Sequence, residues 1–156
     1  EALPTVSALG ERLRAMNPRA AFAMAAHEPD RLQDALTGAA EAPQRLDGLR
    51  VGLLSSIGDP EGFEATVERL HASVVWHERF PDHHRYRPQD WEAVARRVGE
   101  SPIDAVVTTE KDWVRLQPAA MDGGRSPVPL WVLAIRMTIL SGEQELDDRL
   151  ARLWAR

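Results

Sequence analysis

From Leu49 onward, apolar runs of strand length alternate with segments whose apolar residues recur at helical spacing, and few folds accommodate that order. Leu49 to Ile57 reads as a buried strand. Gly58-Asp59-Pro60 follows, with Asp59 placed to cap a helix that begins at Pro60 and turns Phe63, Val67 and Leu70 inward. Val74 to Phe80 is the next strand, Pro81 to Arg87 a loop, and a helix from about Pro88 to Gly99 buries Trp91, Val94, Ala95 and Val98. Ala105 to Thr109 is a third strand, Asp112 to Leu116 one helical turn, Val128 to Leu140 a long strand, and the last helix carries Leu146, Leu150, Leu153 and Trp154. Parallel neighbours need crossover helices, so this order predicts a three-layer, Rossmann-like α/β domain around a mainly parallel sheet. Sites in such sheets form beyond the carboxyl ends of the strands.

The region before Leu49 is less regular. Leu9, Leu13 and Met16 predict a short helix after Ser7, Ala20 to Ala26 a strand, and Arg31 to Leu36 a second helix. Thr37 to Gly48 is rich in Ala, Gly and Pro without a period and reads as a linker. At 156 residues the chain has room for one domain and part of a neighbour. Residues 1–48 are therefore expected to be the tail of an upstream domain plus linker, and 49–156 a C-terminal α/β domain. The first residue is Glu1 rather than methionine, which fits a piece of a longer protein.

Charge and composition narrow the function. With 19 basic against 24 acidic side chains the net charge is -5, so nothing in bulk attracts nucleic acid or anionic lipid. Cysteine is absent, which removes disulfides, thiolate chemistry and cysteine-held zinc. No apolar run approaches the ~20 residues of a membrane-spanning helix. Only one of the basic residues is a lysine, Lys111.

Three clusters fall on the carboxyl edge of the expected sheet. Gly58-Asp59-Pro60 could offer helix N–H groups to a phosphate, but the Asp59 carboxylate would occupy those donors, and a capped turn is the simpler reading. Asp82, His83 and His84 bring an acid beside two imidazoles, as general acid–base chemistry needs; a solvated turn is the plain alternative. His77 and Glu78 lie close enough in sequence to suggest a metal, yet the histidines point in different directions and no metal site is expected. Thr108-Thr109-Glu110-Lys111-Asp112 is either an ion-paired turn capped by Thr109 or a lysine and hydroxyl offered to a phosphate or a neighbouring domain. Neither common phosphate-binding glycine loop occurs anywhere in the chain.

Taken in order, the Ile57-Gly58-Asp59-Pro60 turn with Phe63 after it, the run from Phe80 to Tyr86, and Thr108 to Asp112 resemble the C-terminal half of the tetraacyldisaccharide 4'-kinase family. The resemblance covers about residues 20–140. It departs from the family pattern at Ser56, Asp59, Trp113 and Arg115, where Gly, Asn, Ala and Lys are usual. The resemblance implies transfer of the ATP γ-phosphate, with Mg2+, to the 4'-hydroxyl of a tetraacyldisaccharide 1-phosphate in lipid A biosynthesis, at the cytoplasmic face of the Gram-negative inner membrane. It further implies that an N-terminal kinase domain in the same polypeptide carries the phosphate loop, most of the ATP and Mg2+ contacts, and the membrane attachment, leaving this chain inactive alone. His83 would support a catalytic carboxylate from that domain, Asp82 would orient the loop, and Thr109, Glu110, Lys111 and Asp112 would face substrate or cleft, or else help to hold the fold. Two rival readings are a non-catalytic interaction module of the same fold and a metal-dependent phosphohydrolase built on Asp82, His83 and His84.

Overall fold

The structure, a computed structural model, describes residues 6–122 and 126–154. In chain order its elements are α1 (Val6–Met16), β1 (Met24–Asp34), β2 (Ala40–Glu41), a short 3-10 turn (Pro43–Leu46), β3 (Arg50–Ser55), α2 (Pro60–Glu68), β4 (Ser73–Arg79), α3 (Pro88–Glu100), β5 (Ala105–Thr109), α4 (Glu110–Asp122), β6 (Leu130–Ser141) and α5 (Glu143–Trp154). The six strands form one sheet in the order β2-β1-β6-β5-β3-β4. β3 runs parallel to both β4 and β5, and β5 parallel to β6; β2 pairs antiparallel with β1. The expected mainly parallel α/β architecture is present. The chain forms two compact units, one of residues 29–136 and the other of residues 1–28 with 137–156, and β1 and β6 contribute residues to both.

Strand periodicity builds the two sides of the larger unit. Val51, Leu53, Ala105, Val107, Trp131 and Leu133 share one face with Phe63 and Val67 of α2. The intervening residues Leu54, Val106 and Leu130 point the other way, into a core with Trp76, Trp91, Val94 and Val98 of α3 and Leu116 of α4. Successive side chains of a strand face opposite ways, so a fully apolar run such as Leu53-Leu54 needs helices on both faces. Asp59 caps α2 as expected, its Oδ1 accepting the Gly62 N–H at 2.9 Å, with Pro60 in the first turn.

Gly52 is fixed by close approach. It pairs with Trp76 of β4 beside a register shift, and a Cβ on residue 52 would overlap the Trp76 indole. Gly52→Ala therefore overfills a buried site and should cost about 1–3 kcal/mol, read as a lower urea midpoint with an unchanged m-value.

Three expectations need correcting. The segment Arg31 to Leu36 is not a helix: it ends strand β1, with Leu32 and Gln33 paired to Glu41 and Ala40, and Leu32 fully buried. The Asp34 carboxylate then accepts the N–H groups of Leu36 and Thr37 and the Thr37 hydroxyl, which turns the chain out of the strand. The stretch read as a linker holds β2 and the 3-10 turn, and Leu46 is fully buried in the core with Leu32. The expected boundary at residue 48 thus lies inside the larger unit. Finally, the helix after β5 spans Glu110–Asp122 and runs through Pro118, rather than stopping at Leu116.

In the smaller unit neither α1 nor α5 has a buried residue, and both expose apolar side chains. Arg149 donates to the Arg19 carbonyl, Thr138 Oγ1 to Glu28 Oε2 at 2.8 Å, and the Arg14 guanidinium lies 5.3 Å from the centre of the Phe22 ring. Among the described residues no helix is long and apolar enough to cross a membrane.

Candidate active-site loop and its support

The carboxyl edge of the sheet gathers the residues singled out in the sequence, and a buried carboxylate organises them. Thr109 ends β5 and caps α4: its hydroxyl accepts the Asp112 N–H at 3.1 Å and donates to Asp112 Oδ2 at 2.8 Å. The cap folds Asp112 into the protein, where its relative exposure is 0%. There the carboxylate accepts from the Ser56 N–H at 3.1 Å, the Ser56 hydroxyl at 2.6 Å, the Arg115 guanidinium at 2.9 Å and the Tyr86 hydroxyl at 3.3 Å. Five donors, counting Thr109, satisfy a group that would otherwise be costly to bury. Ser56 and Arg115 thus meet on this one side chain. Burial pushes the Tyr86 phenol well above its ordinary pKa, keeping it a proton donor.

Asp112 was expected to face a cleft, and here it does not. Thr109 is likewise engaged with Asp112. Of that motif, Glu110 and Lys111 are the half-exposed members: Glu110 pairs with Arg31 at 2.8 Å, and Lys111 reaches Asp82 Oδ1 at 3.1 Å. The ion pair foreseen for Lys111 exists, but with the 80–86 loop rather than with its sequence neighbours.

That loop leaves the sheet after β4 and is tied down along its length. The Phe80 N–H donates to the Ser55 carbonyl at 2.8 Å and the His83 N–H to the Ser56 carbonyl at 3.3 Å; Tyr86 closes the loop on Asp112. Asp82 is held by Lys111 and by the His83 N–H, at 3.0 Å, and the Lys111 bond keeps its carboxyl below the usual range. His83 has a positive φ of 62°. Its side chain is 76% exposed, with Nε2 3.6 Å from Asp82 Oδ2. His84 turns the other way, stacking on Phe80 at 4.5 Å between ring centres and lying 2.9 Å from Asp90 Oδ2. The two neighbouring histidines have separate settings, one offered to solvent and one packed.

A second arrangement was not foreseen. Ser55 Oγ lies 2.8 Å from His77 Nε2, and His77 Nδ1 2.8 Å from Glu64 Oε2. Hydroxyl, imidazole and carboxylate in that order resemble a nucleophilic triad. Ser55 is 1% exposed, however, and the His77 side chain 4%, so nothing can approach the hydroxyl. The group ties α2 to β4, reinforced by Arg79 bridging Glu61 and Glu64. Strand alternation could have placed His77 and Ser55 together only if their register were known.

Several carboxyls are held below their ordinary range, each by its own partners. The His77 and Arg79 bonds hold Glu64 below its ordinary pKa. Burial works against Asp90, but bonds from His84 and the Arg87 N–H hold it low as well, and Asp34 is lowered chiefly by the Thr37 N–H. A carboxyl whose folded pKa is depressed contributes stability that is complete above its unfolded value, near 4, and vanishes as pH falls through the folded value. The melting temperature of this chain should therefore be nearly flat from about pH 7 to 5 and fall steadily from about pH 4 downward. A profile rising on acidification would contradict these pairings.

The fold and this edge define a mainly parallel α/β domain presenting an acid, an imidazole and an amine beyond its strands. Comparison with known proteins makes the relationship specific. The family model described as tetraacyldisaccharide-1-P 4'-kinase (LpxK) matches residues 6–155. A tetraacyldisaccharide 4'-kinase of Anaeromyxobacter dehalogenans (strain 2CP-C) is 41% identical over 127 residues, 80% of this chain and 32% of the relative. One from Elusimicrobium minutum (strain Pei191) is 32% identical over 137 residues, 88% of this chain and 35% of the relative. In fold, the chain is similar to LpxK from Aquifex aeolicus, solved as an "apo" form in complex with ATP, with a TM-score of 0.51 and 20% identity over 89% of this chain and 40% of that one. The chain belongs to the tetraacyldisaccharide-1-P 4'-kinase family. It spans about a third of the length of these curated relatives.

Proposed function

We propose that this chain is the C-terminal part of a lipid A biosynthesis kinase that transfers the ATP γ-phosphate to the 4'-hydroxyl of a tetraacyldisaccharide 1-phosphate. The observation that carries this is the family match across residues 6–155, to relatives named for that reaction and roughly three times as long. The remaining two thirds would supply the phosphate loop and the catalytic carboxylate, on the amino-terminal side of the same polypeptide. The enzyme would work as a peripheral protein at the cytoplasmic face of the inner membrane, where its lipid acceptor lies.

Phosphoryl transfer asks a protein mainly to position groups and to stabilise charge. In this reading the exposed His83 imidazole meets the carboxylate of the first domain, holding it in place or exchanging a proton with it, and Asp82 sets the loop. Glu110 and Lys111 line the cleft beside it. Two acids on this edge do not suit magnesium: Asp112 is enclosed by its five donors, and Asp82 is shared between Lys111 and a backbone N–H.

The test compares the purified chain with the same chain joined to the amino-terminal two thirds of the Anaeromyxobacter dehalogenans relative. Each is incubated with radiolabelled ATP and tetraacyldisaccharide 1-phosphate in detergent micelles. Label should appear at the 4' position only with the joined protein. Transfer by the chain alone would overturn the division of labour, and a folded joined protein without transfer would overturn the kinase reading.

A further inference from the structure

His83 sits in the left-handed region of backbone space, which a non-glycine residue occupies only when its surroundings hold it there. Besides the adjacent Asp82 carboxylate, those surroundings lead to one side chain. The N–H of His83 is shared between its neighbour's carboxylate, Asp82 Oδ1 at 3.0 Å, and the Ser56 carbonyl at 3.3 Å, and the second of these is the tie to the body of the domain. Ser56 is in turn gripped by both oxygens of Asp112, through its N–H at 3.1 Å and its hydroxyl at 2.6 Å. Arg115 closes the triangle, donating from Nη2 to Asp112 Oδ1 at 2.9 Å and to the Ser56 carbonyl at 3.5 Å. From the far end of the loop the Tyr86 hydroxyl returns to the same Oδ1 at 3.3 Å. Asp112 therefore anchors the 80–86 loop at two points, at His83 itself through Ser56 and at Tyr86 three residues on. Its own side chain is fully buried and touches neither solvent nor any reacting group.

We propose that Asp112 is a positioning residue for the kinase reaction, fixing His83 through Ser56 and Tyr86. This rests on the reading of His83 given under Proposed function. The imidazole itself is 76% exposed and, apart from Asp82, has little around it to orient it, so its placement depends on the backbone beneath. A loop free to relax His83 into the ordinary right-handed or extended region would turn the side chain away from its present direction. The burial of the hub explains why a motif on α4 influences chemistry performed by a loop after β4.

Tyr86→Phe tests the link with little disturbance: it removes one hydroxyl and keeps the ring packed edge-on against Phe80 and His84. Four versions of the joined kinase are compared: unaltered, Tyr86→Phe, His83→Ala and the double variant. The readouts are kcat, KM for the lipid acceptor, and melting temperature. Tyr86→Phe should lower kcat about 5- to 10-fold with KM within about twofold, and should have no further effect once His83 is alanine. The same fold-loss in both backgrounds, or an unchanged kcat in Tyr86→Phe, would overturn the proposal while leaving a damaged His83→Ala enzyme to support the kinase reading. A fully active His83→Ala enzyme would overturn the role given to His83, and the proposal with it, while its transfer activity would leave the kinase reading standing. Asp112→Asn adds a larger perturbation of the same kind, expected to lower kcat more than Tyr86→Phe does; should that variant fail to fold, the Tyr86→Phe cycle decides alone.

Discussion

Asp112→Ala is expected to lower the unfolding free energy by about 3–5 kcal/mol, the range for removing one partner of a buried charge pair. Asp112 has no exposed surface and holds the Arg115 guanidinium, two hydroxyls besides that of Tyr86, and the Ser56 N–H. Without the carboxylate the Ser56 donors stay buried and those of Thr109 and Arg115 half-buried, all lose their acceptor, and one Arg115 nitrogen, Nη1, already lacks a partner among the described residues. For a chain of this size the loss corresponds to a melting temperature lower by roughly 6–20 °C. Calorimetry on the purified chain measures it. A change under about 2 °C would mean that the network is peripheral to the fold. Exposed pairs on the same edge, such as Lys111 with Asp82, should contribute far less, because solvent screens them.

Much of the fold was legible because the chain obeys two periods. Leu53-Leu54 and Val106-Val107 are continuous apolar pairs that only a two-sided sheet can bury, and Trp91, Val94 and Val98 mark the helical face that covers one side. The misread parts are those where tertiary context outweighs local pattern. Strand β1 is mostly charged or polar between His27 and Asp34 and contains Pro29; its strand character comes from pairing, with one inward residue, Leu32, to reveal it. Pro118 reads as a helix stop, yet α4 continues past it because Leu116 and Ala119 are buried on one face. The apparent linker hides one core leucine, Leu46, with Pro43 buried three residues before it, among Ala, Gly and Pro.

The site divides in the same way. Sequence spacing brought Asp82, His83 and the Thr109–Asp112 motif to one edge, since both follow parallel strands and end at the same side of the sheet. It also gave the Thr109 cap. Spacing could not say that Asp112 points inward, because Thr-x-x-Asp at a helix start fits both a solvated cap and a buried hub. Nor could it pair Lys111 with Asp82 across 29 positions, or show that Ser56, Tyr86 and Arg115 converge. Those contacts depend on the β3–β5 register, which no local pattern encodes.

His83→Ala is the substitution expected to damage catalysis most while sparing the fold. The side chain is exposed and makes one loose contact, to Asp82 at 3.6 Å, so its loss removes almost no packing. Alanine occupies the left-handed region somewhat less readily than histidine, so the substitution adds only a small backbone strain. In a kinase whose first domain supplies the catalytic carboxylate, an imidazole that orients or exchanges a proton with that group acts in the transition state. Its removal should lower kcat by about 100-fold or more and leave KM nearly unchanged. His84→Ala is the internal control: that ring packs on Phe80 and bonds Asp90, so its loss should show in melting temperature rather than in kcat.

The most direct measurement is the rate of 4'-phosphorylation of tetraacyldisaccharide 1-phosphate by the chain joined to a phosphate-loop domain, with His83→Ala and His84→Ala assayed side by side at saturating ATP. A kcat reduced about 100-fold in His83→Ala and within about threefold of the unaltered enzyme in His84→Ala is the predicted result. Equal, unimpaired rates in both variants, or a crippled His84→Ala beside a normal His83→Ala, would contradict the assignment of this loop to the kinase active site.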